Sequence, residues 1–232
     1  MRKLLSILAC LTVCAGALAE ETTKEAERLQ SAAVIVNEIM GTPEKAIPQD
    51  LLDKAVCVGV IPSEKKFALG VGGSFGRGAL VCRRAGNGRW GPPSMFTVGG
   101  GSLGFQLGGE ATDIVFIVMN PKGAQKLVQS SVKLGVDASA AAGPVGRKAE
   151  GATDLQLRAE ILSYSRSRGL FAGVSLEGAV LKQDDDANQR LYGRTVVPKE
   201  ILFTSKVTVP RPARSLDAAL AKYSPHGGAP FT

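Results

Sequence analysis

The sequence predicts an α+β domain: an antiparallel, partly barrel-like, Gly-rich β-sheet with flanking helices. Three observations carry that reading. The 232 residues include 28 Gly, while aromatics make up only 5%, so tight turns and close backbone approach stand in for a ring-filled core. Hydrophobic residues make up 44% and charged residues 21%, the balance of a globular chain. Runs with strand texture lie between segments of helical periodicity, and no linker of domain-separating length interrupts them. A single domain over residues 25–224 is therefore expected, with 225–232 as a loose tail.

Residues 1–19 read as a secretory signal peptide. Arg2 and Lys3 precede the apolar run LLSILACLTVCAGALA, which closes on the small-x-small pattern Ala17-Leu18-Ala19. The run is shorter than the roughly 20 apolar residues of a membrane span. A lipoprotein signal built on Cys14 would want a small residue where Val13 stands. Cleavage after Ala19 removes two cations and leaves a net charge of +5 in place of +7. The expected location is exported, periplasmic or secreted. Cys57 and Cys82 then remain, either as a disulfide or as two small buried apolar residues.

The elements follow in order. Thr22-x-x-Glu25 is a capping-box spacing, and Ala26, Leu29, Ala33, Val36 and Met40 form one apolar stripe, so 22–40 reads as a helix stopped by Gly41. Its polar face carries Lys24, Glu27, Arg28 and Glu38. Ile47-Pro48 opens a short helix through Ala55. Val56–Ile61 is a buried strand, and Phe67–Arg84 is a Gly-rich strand region. Asn87-Gly88 marks a hairpin turn. Met95–Val98, Gly99–Gly109 and Ile114–Met119 continue the meander. Pro121–Leu134 reads as a helix with Pro at an early position. Ile161–Ser167 and Leu170–Leu181 alternate as strands. Asp184–Asp186 with Asn188 reads as an acidic connection, and short helices follow at Val197–Phe203 and Leu216–Tyr223.

Several chemistries are disfavoured. One His, His226, leaves little for a Ser-His-Asp or multi-His site. Gly99, Gly101 and Gly104 match a dinucleotide fingerprint, but FQLGGEATDIVFIV follows and does not open a helix. The Asp184 loop lacks the central Gly and closing Glu of an EF-hand. Cys57 and Cys82 have no neighbouring His or Cys to close a zinc site. No spacing forces two of Glu110, Asp113, Glu160 and Glu177 into one cleft. The expectation is a non-enzyme with no cofactor and no metal.

Basic residues are the remaining signal. Lys65-Lys66 lies in a turn, and Arg83, Arg84 and Arg89 flank a hairpin beside Trp90. Arg166 and Arg168 flank a turn before Leu170-Phe171. Cations beside an apolar tip suit an anionic lipid surface, with Lys24 and Arg28 of the first helix assisting.

The stretch SRGLFAGVSLEGAVL, Ser167 to Leu181, resembles the signature of the SYLF domain. Ile61-Pro62, Gly70 to Gly78, Trp90 with Pro92-Pro93, Gly100 to Val118 and Gly143 to Gly151 agree with it in order and spacing. The resemblance implies a lipid-binding module, with phosphoinositide and actin as the ligands of eukaryotic members. The acidic residues Glu25, Glu27 and Glu38 and the export signal set this chain apart from those ligands. They point to a stand-alone exported form, as in bacteria. Anionic phospholipid is the expected partner, and nucleic acid is not. The alternative is an exported scaffold with an envelope protein as partner.

Overall fold

The computed structural model describes residues 24–42, 47–62, 74–85, 88–100, 112–146, 158–167 and 170–227. Helix α1 covers residues 24–40 and α2 Gln49–Lys54. The strands β1 Cys57–Ile61, β2 Ser74–Cys82, β3 Ser94–Gly100 and β4 Asp113–Val118 follow. Then come α3 Pro121–Leu127, β5 Ser131–Lys133, β6 Ala140–Ala142, β7 Ile161–Ser167, β8 Leu170–Gly173 and β9 Val180–Gln183. The chain closes with α4 Asp185–Tyr192, α5 Pro198–Phe203, a 3-10 turn Arg211–Ala213 and α6 Arg214–Tyr223.

The nine strands form one sheet in the order β5-β9-β3-β2-β1-β4-β7-β6, with β8 also on β7. All pairings are antiparallel except β6 on β7. The sheet curls into a half-barrel, as the α+β expectation requires. Strand alternation sends side chains to two separate cores. Val58, Val60, Ala79, Val81, Met95, Val115 and Ile117 face α1, α2, α4 and α6. Cys57, Leu80, Phe96, Phe116 and Val118 face the other way, with Leu127 of α3 and Ile201 and Leu202 of α5. Helix α1 seals the first core with Leu29, Ala32, Ala33, Ile35, Val36 and Ile39, all buried. Each large side chain among these removes from water an apolar area worth about 1.5–3 kcal/mol.

Two glycines let rings lie across strands. A Cβ on Gly59 would sit 2.1 Å from Phe116 Cζ, and one on Gly78 2.7 Å from Phe96 Cζ. The two rings meet edge to face with centroids 5.7 Å apart. Gly59→Ala is therefore expected to cost about 1–3 kcal/mol by overpacking, read as a lower urea midpoint at unchanged slope. A neutral outcome would show that Phe116 has space to move.

Three elements differ from expectation. The helix from Pro121 ends at Leu127, because Ser131–Lys133 joins the sheet beside β9 and buries Val132. Asn120 caps its start, accepting from the Gly123 amide at 2.8 Å. Leu170–Leu181 is two strands on different parts of the sheet, separated by buried Leu176 and a turn at Gly178 with φ +84°. The acidic connection is a helix: Asp184 caps it by accepting from the Ala187 amide, and Asp185 and Asp186 suit its positive end. Asn188 is buried and accepts from the Met95 amide at 2.7 Å.

Candidate functional site

The basic residues expected to share one surface do not. Arg83 is fully buried, and its guanidinium donates to the Ala55 carbonyl at 2.9 Å, Gly88 at 2.7 Å, Leu52 at 3.3 Å and Ser224 at 3.4 Å. It also donates to Ser224 Oγ at 2.6 Å. The Trp90 ring packs on it with a 4.0 Å centroid distance, and Trp90 Nε1 donates to the Ser224 carbonyl at 2.8 Å. Burial lowers the guanidinium pKa to about 10 against the pull of Asp53, so the group is still cationic at neutral pH. Ser224, the last residue of the expected domain, is buried and anchored, and Gly227, in the expected loose tail, packs against Arg83. Arg83 and Trp90 thus hold the chain end to the sheet, which corrects their reading as surface ligands. A guanidinium satisfied on every side has no donor to offer a headgroup.

Arg28 is also interior. It lies 4.0 Å from Glu25, which is itself buried and accepts from Arg190 Nη2 at 3.0 Å. Arg84 is half-buried, and its Nη2 donates to the Val207 carbonyl at 3.2 Å. Arg89 and Lys24 are exposed. Arg84 and Arg89 face a counter-charge: burial pushes the Asp217 carboxyl up, while both arginines pull it down. Lys65 and Lys66 lie outside the described residues. Cys57 and Cys82 stand opposite each other in the β1–β2 register and are joined by a disulfide.

Of the four carboxylates weighed from the sequence, Glu160 and Asp113 sit in structural pairs, Glu177 is exposed and Glu110 lies outside the described residues. Glu160 accepts from Lys126 Nζ at 2.7 Å and from the Ser139 amide at 3.0 Å. Burial alone would raise its carboxyl, but these partners hold it below the ordinary range. Asp113 and Glu38 both pair with Arg166. Among the described residues no group of three or more His, Cys, Asp or Glu is placed to hold a metal, and no helix is long and apolar enough to cross a membrane.

A different surface gathers cations. Among the described residues, the helical layer over the first core reaches as far as Met95 on β3, and the positions beyond it on that face are exposed or half-buried. The register sets two rows across four strands there. One runs Arg77, Thr97, Lys182, Ser131, and the next runs Phe75, Gly99, Val180, Lys133. None of these eight positions carries a carboxylate. Lys182, Ser131 and Lys133 are exposed, and Phe75 is 57% exposed. The Arg77 guanidinium lies over the Phe75 ring at 5.8 Å, and its Nε is buried with no hydrogen-bond partner. Beside the face, Asp137 accepts from the Lys133 backbone amide at 2.7 Å. Sequence reading missed this face because Arg77, Lys182 and Lys133 are isolated cations on three distant strands. Alternation within each strand was the available signal, but only the register aligns the strands.

Comparison with known proteins gives one family. Residues 99–223 match the Ysc84 family profile, described as "Las17-binding protein actin regulator". A Saccharomyces cerevisiae protein, LAS seventeen-binding protein 3, is 35% identical over 215 residues, covering 89% of this chain and 46% of its own length. The human SH3 domain-containing YSC84-like protein 1 is 33% identical over 192 residues, covering 80% of this chain and 55% of its own. The S. cerevisiae Protein YSC84 is 35% identical over 202 residues, 86% of this chain and 42% of its own. The chain spans about half the length of the curated relatives it matches.

Proposed function

The chain belongs to the Ysc84 family, and from that premise we propose that it is a non-enzymatic attachment module whose open sheet face docks on anionic phospholipid. The observation that carries this reading is the pair of register rows holding Arg77, Lys182 and Lys133 without a carboxylate between them. A face of one sign attracts an anionic surface, and each cation near the headgroups contributes about 1 kcal/mol. The exported location predicted from residues 1–19 is retained as part of the proposal. The Las17-binding description of the family and of a relative favours a second reading, a protein partner, which the cations of this face would require to be acidic there.

The test is co-sedimentation with phosphatidylserine and phosphatidylcholine vesicles at low and high salt. Binding to anionic vesicles alone, weakened by salt, is expected. Arg77→Gln, Lys182→Gln and Lys133→Gln together should weaken it by about a hundredfold. Arg84→Gln with Arg89→Gln, whose charge Asp217 already offsets, should leave binding within about threefold. If the hairpin pair mattered and the sheet face did not, this site assignment would fall. Absence of vesicle binding, with salt-sensitive capture of an acidic protein, would favour the second reading.

A further inference from the structure

We propose that docking is end-on: the rim of the sheet carrying Phe75 and Leu170 inserts into the interface of an anionic bilayer, with Arg77 and Lys182 behind it at the phosphates. This rests on the function proposed above and adds the orientation and depth of the bound domain. Phe75 and Leu170 are 57% and 62% exposed, each a large apolar side chain left open to water. The register puts them at the same end. Counted from the Ile61–Ile114 pair, Leu170 lies two residues and Phe75 three residues toward that end. They stand on β8 and β2, with β7, β4 and β1 between, a span of roughly 19 Å at ordinary strand spacing.

Both tips have an arginine behind them. Arg77 lies over the Phe75 ring at 5.8 Å, and Arg166 over the Phe171 ring, next to Leu170, at 6.0 Å. Arg166 is occupied by Glu38 and Asp113, so it orders its tip, while Arg77 and Lys182 supply charge. Moving inward from the rim, the face passes from Phe75 and Val180 to Arg77 and Lys182. That order matches the bilayer, where acyl chains lie below phosphates. Arg77 and Lys182 stand two strands apart, roughly 9–10 Å between backbones. That spacing suits separate phosphates of a surface better than one soluble phosphate.

Phe75→Trp provides the test, because Trp90 is the one native Trp and is buried. Full-chain protein would be mixed with phosphatidylserine vesicles, with and without brominated acyl chains. The new indole is expected to shift its emission to shorter wavelength and to lose most of it to bromine. Ala85→Trp, on the hairpin at the opposite end, should show neither. Phe75→Ala should weaken vesicle binding about tenfold or more while leaving its salt dependence unchanged. Sedimentation with anionic vesicles but no quenching of the Phe75→Trp indole would overturn insertion and leave surface attachment standing. No sedimentation would overturn both. Quenching at Ala85→Trp instead would reverse the orientation.

Discussion

Arg83→Met is expected to destabilise the fold by about 3–5 kcal/mol, equivalent to roughly 6–20 °C in Tm for a chain of this size. The variant would keep the volume of the side chain and remove its charge and donors. Four carbonyls, those of Leu52, Ala55, Gly88 and Ser224, would each lose a hydrogen bond. Ser224 Oγ would lose one as well, although it also donates to Asp53 at 2.5 Å. Buried acceptors left unpaired cost about 1–3 kcal/mol each, reduced here where water enters beside the chain end. Asp53 would lose its buried counter-charge, while Gln49 Nε2 still donates to it at 3.0 Å. Arg83→Lys should recover little of the loss, because one ammonium cannot reach acceptors arranged around a planar fork. Urea denaturation of the three proteins is the measurement. The surface reading of Arg83 makes the opposite forecast, weaker vesicle binding at unchanged stability. That pattern would return Arg83 to the docking site.

The buried cluster of Arg83, Trp90 and Ser224 shows which features a sequence displays and which it hides. Arg83 and Trp90 are seven residues apart and flank a recognisable hairpin turn, so their closeness was legible. Their burial was not, because the atoms that enclose them come from Leu52, Asp53 and Ser224, the last 141 residues from Arg83. Arg28 misled for a related reason: it sits on the helix's mixed polar face, but it pairs with Glu25, which is itself buried and held by Arg190. Helix α1, β1 and β4 were legible because periodicity and unbroken apolar runs are local. The end of the Pro121 helix was not, because pairing of Ser131–Lys133 with β9 decides it. The same limit applies to the open face. Arg77, Lys182 and Lys133 become neighbours only through three successive strand registers, and a slip of one residue in any of them would turn a cation to the other face.

The disulfide offers a second large effect. Cys57→Ala with Cys82→Ala is expected to lower stability by about 3.5 kcal/mol, from the chain entropy released when the 25-residue separation is no longer closed in the unfolded state. The folded structure should survive, because the ladder beside the bridge is independent of it. Val58 still pairs with Val81, Gly59 with Leu80 and Val60 with Ala79. The Arg83 amide still donates to the Val56 carbonyl at 2.8 Å. The loss should therefore fall on the unfolded state, and the urea slope should rise as that state expands. Both sulfurs are buried, at 0% and 1% exposure, so glutathione should reduce the native protein only as fast as it opens. A loss below about 1 kcal/mol would mean that β1 and β2 stay paired in the unfolded chain and supply the same constraint. The proposed exported location gives this number a consequence. In an oxidising compartment the domain keeps the bridge, whereas the same chain held in a reducing one would start as the weaker dithiol form. Comparing the two forms in the vesicle assay then separates attachment from folding: equal binding by both would place the disulfide in stability alone.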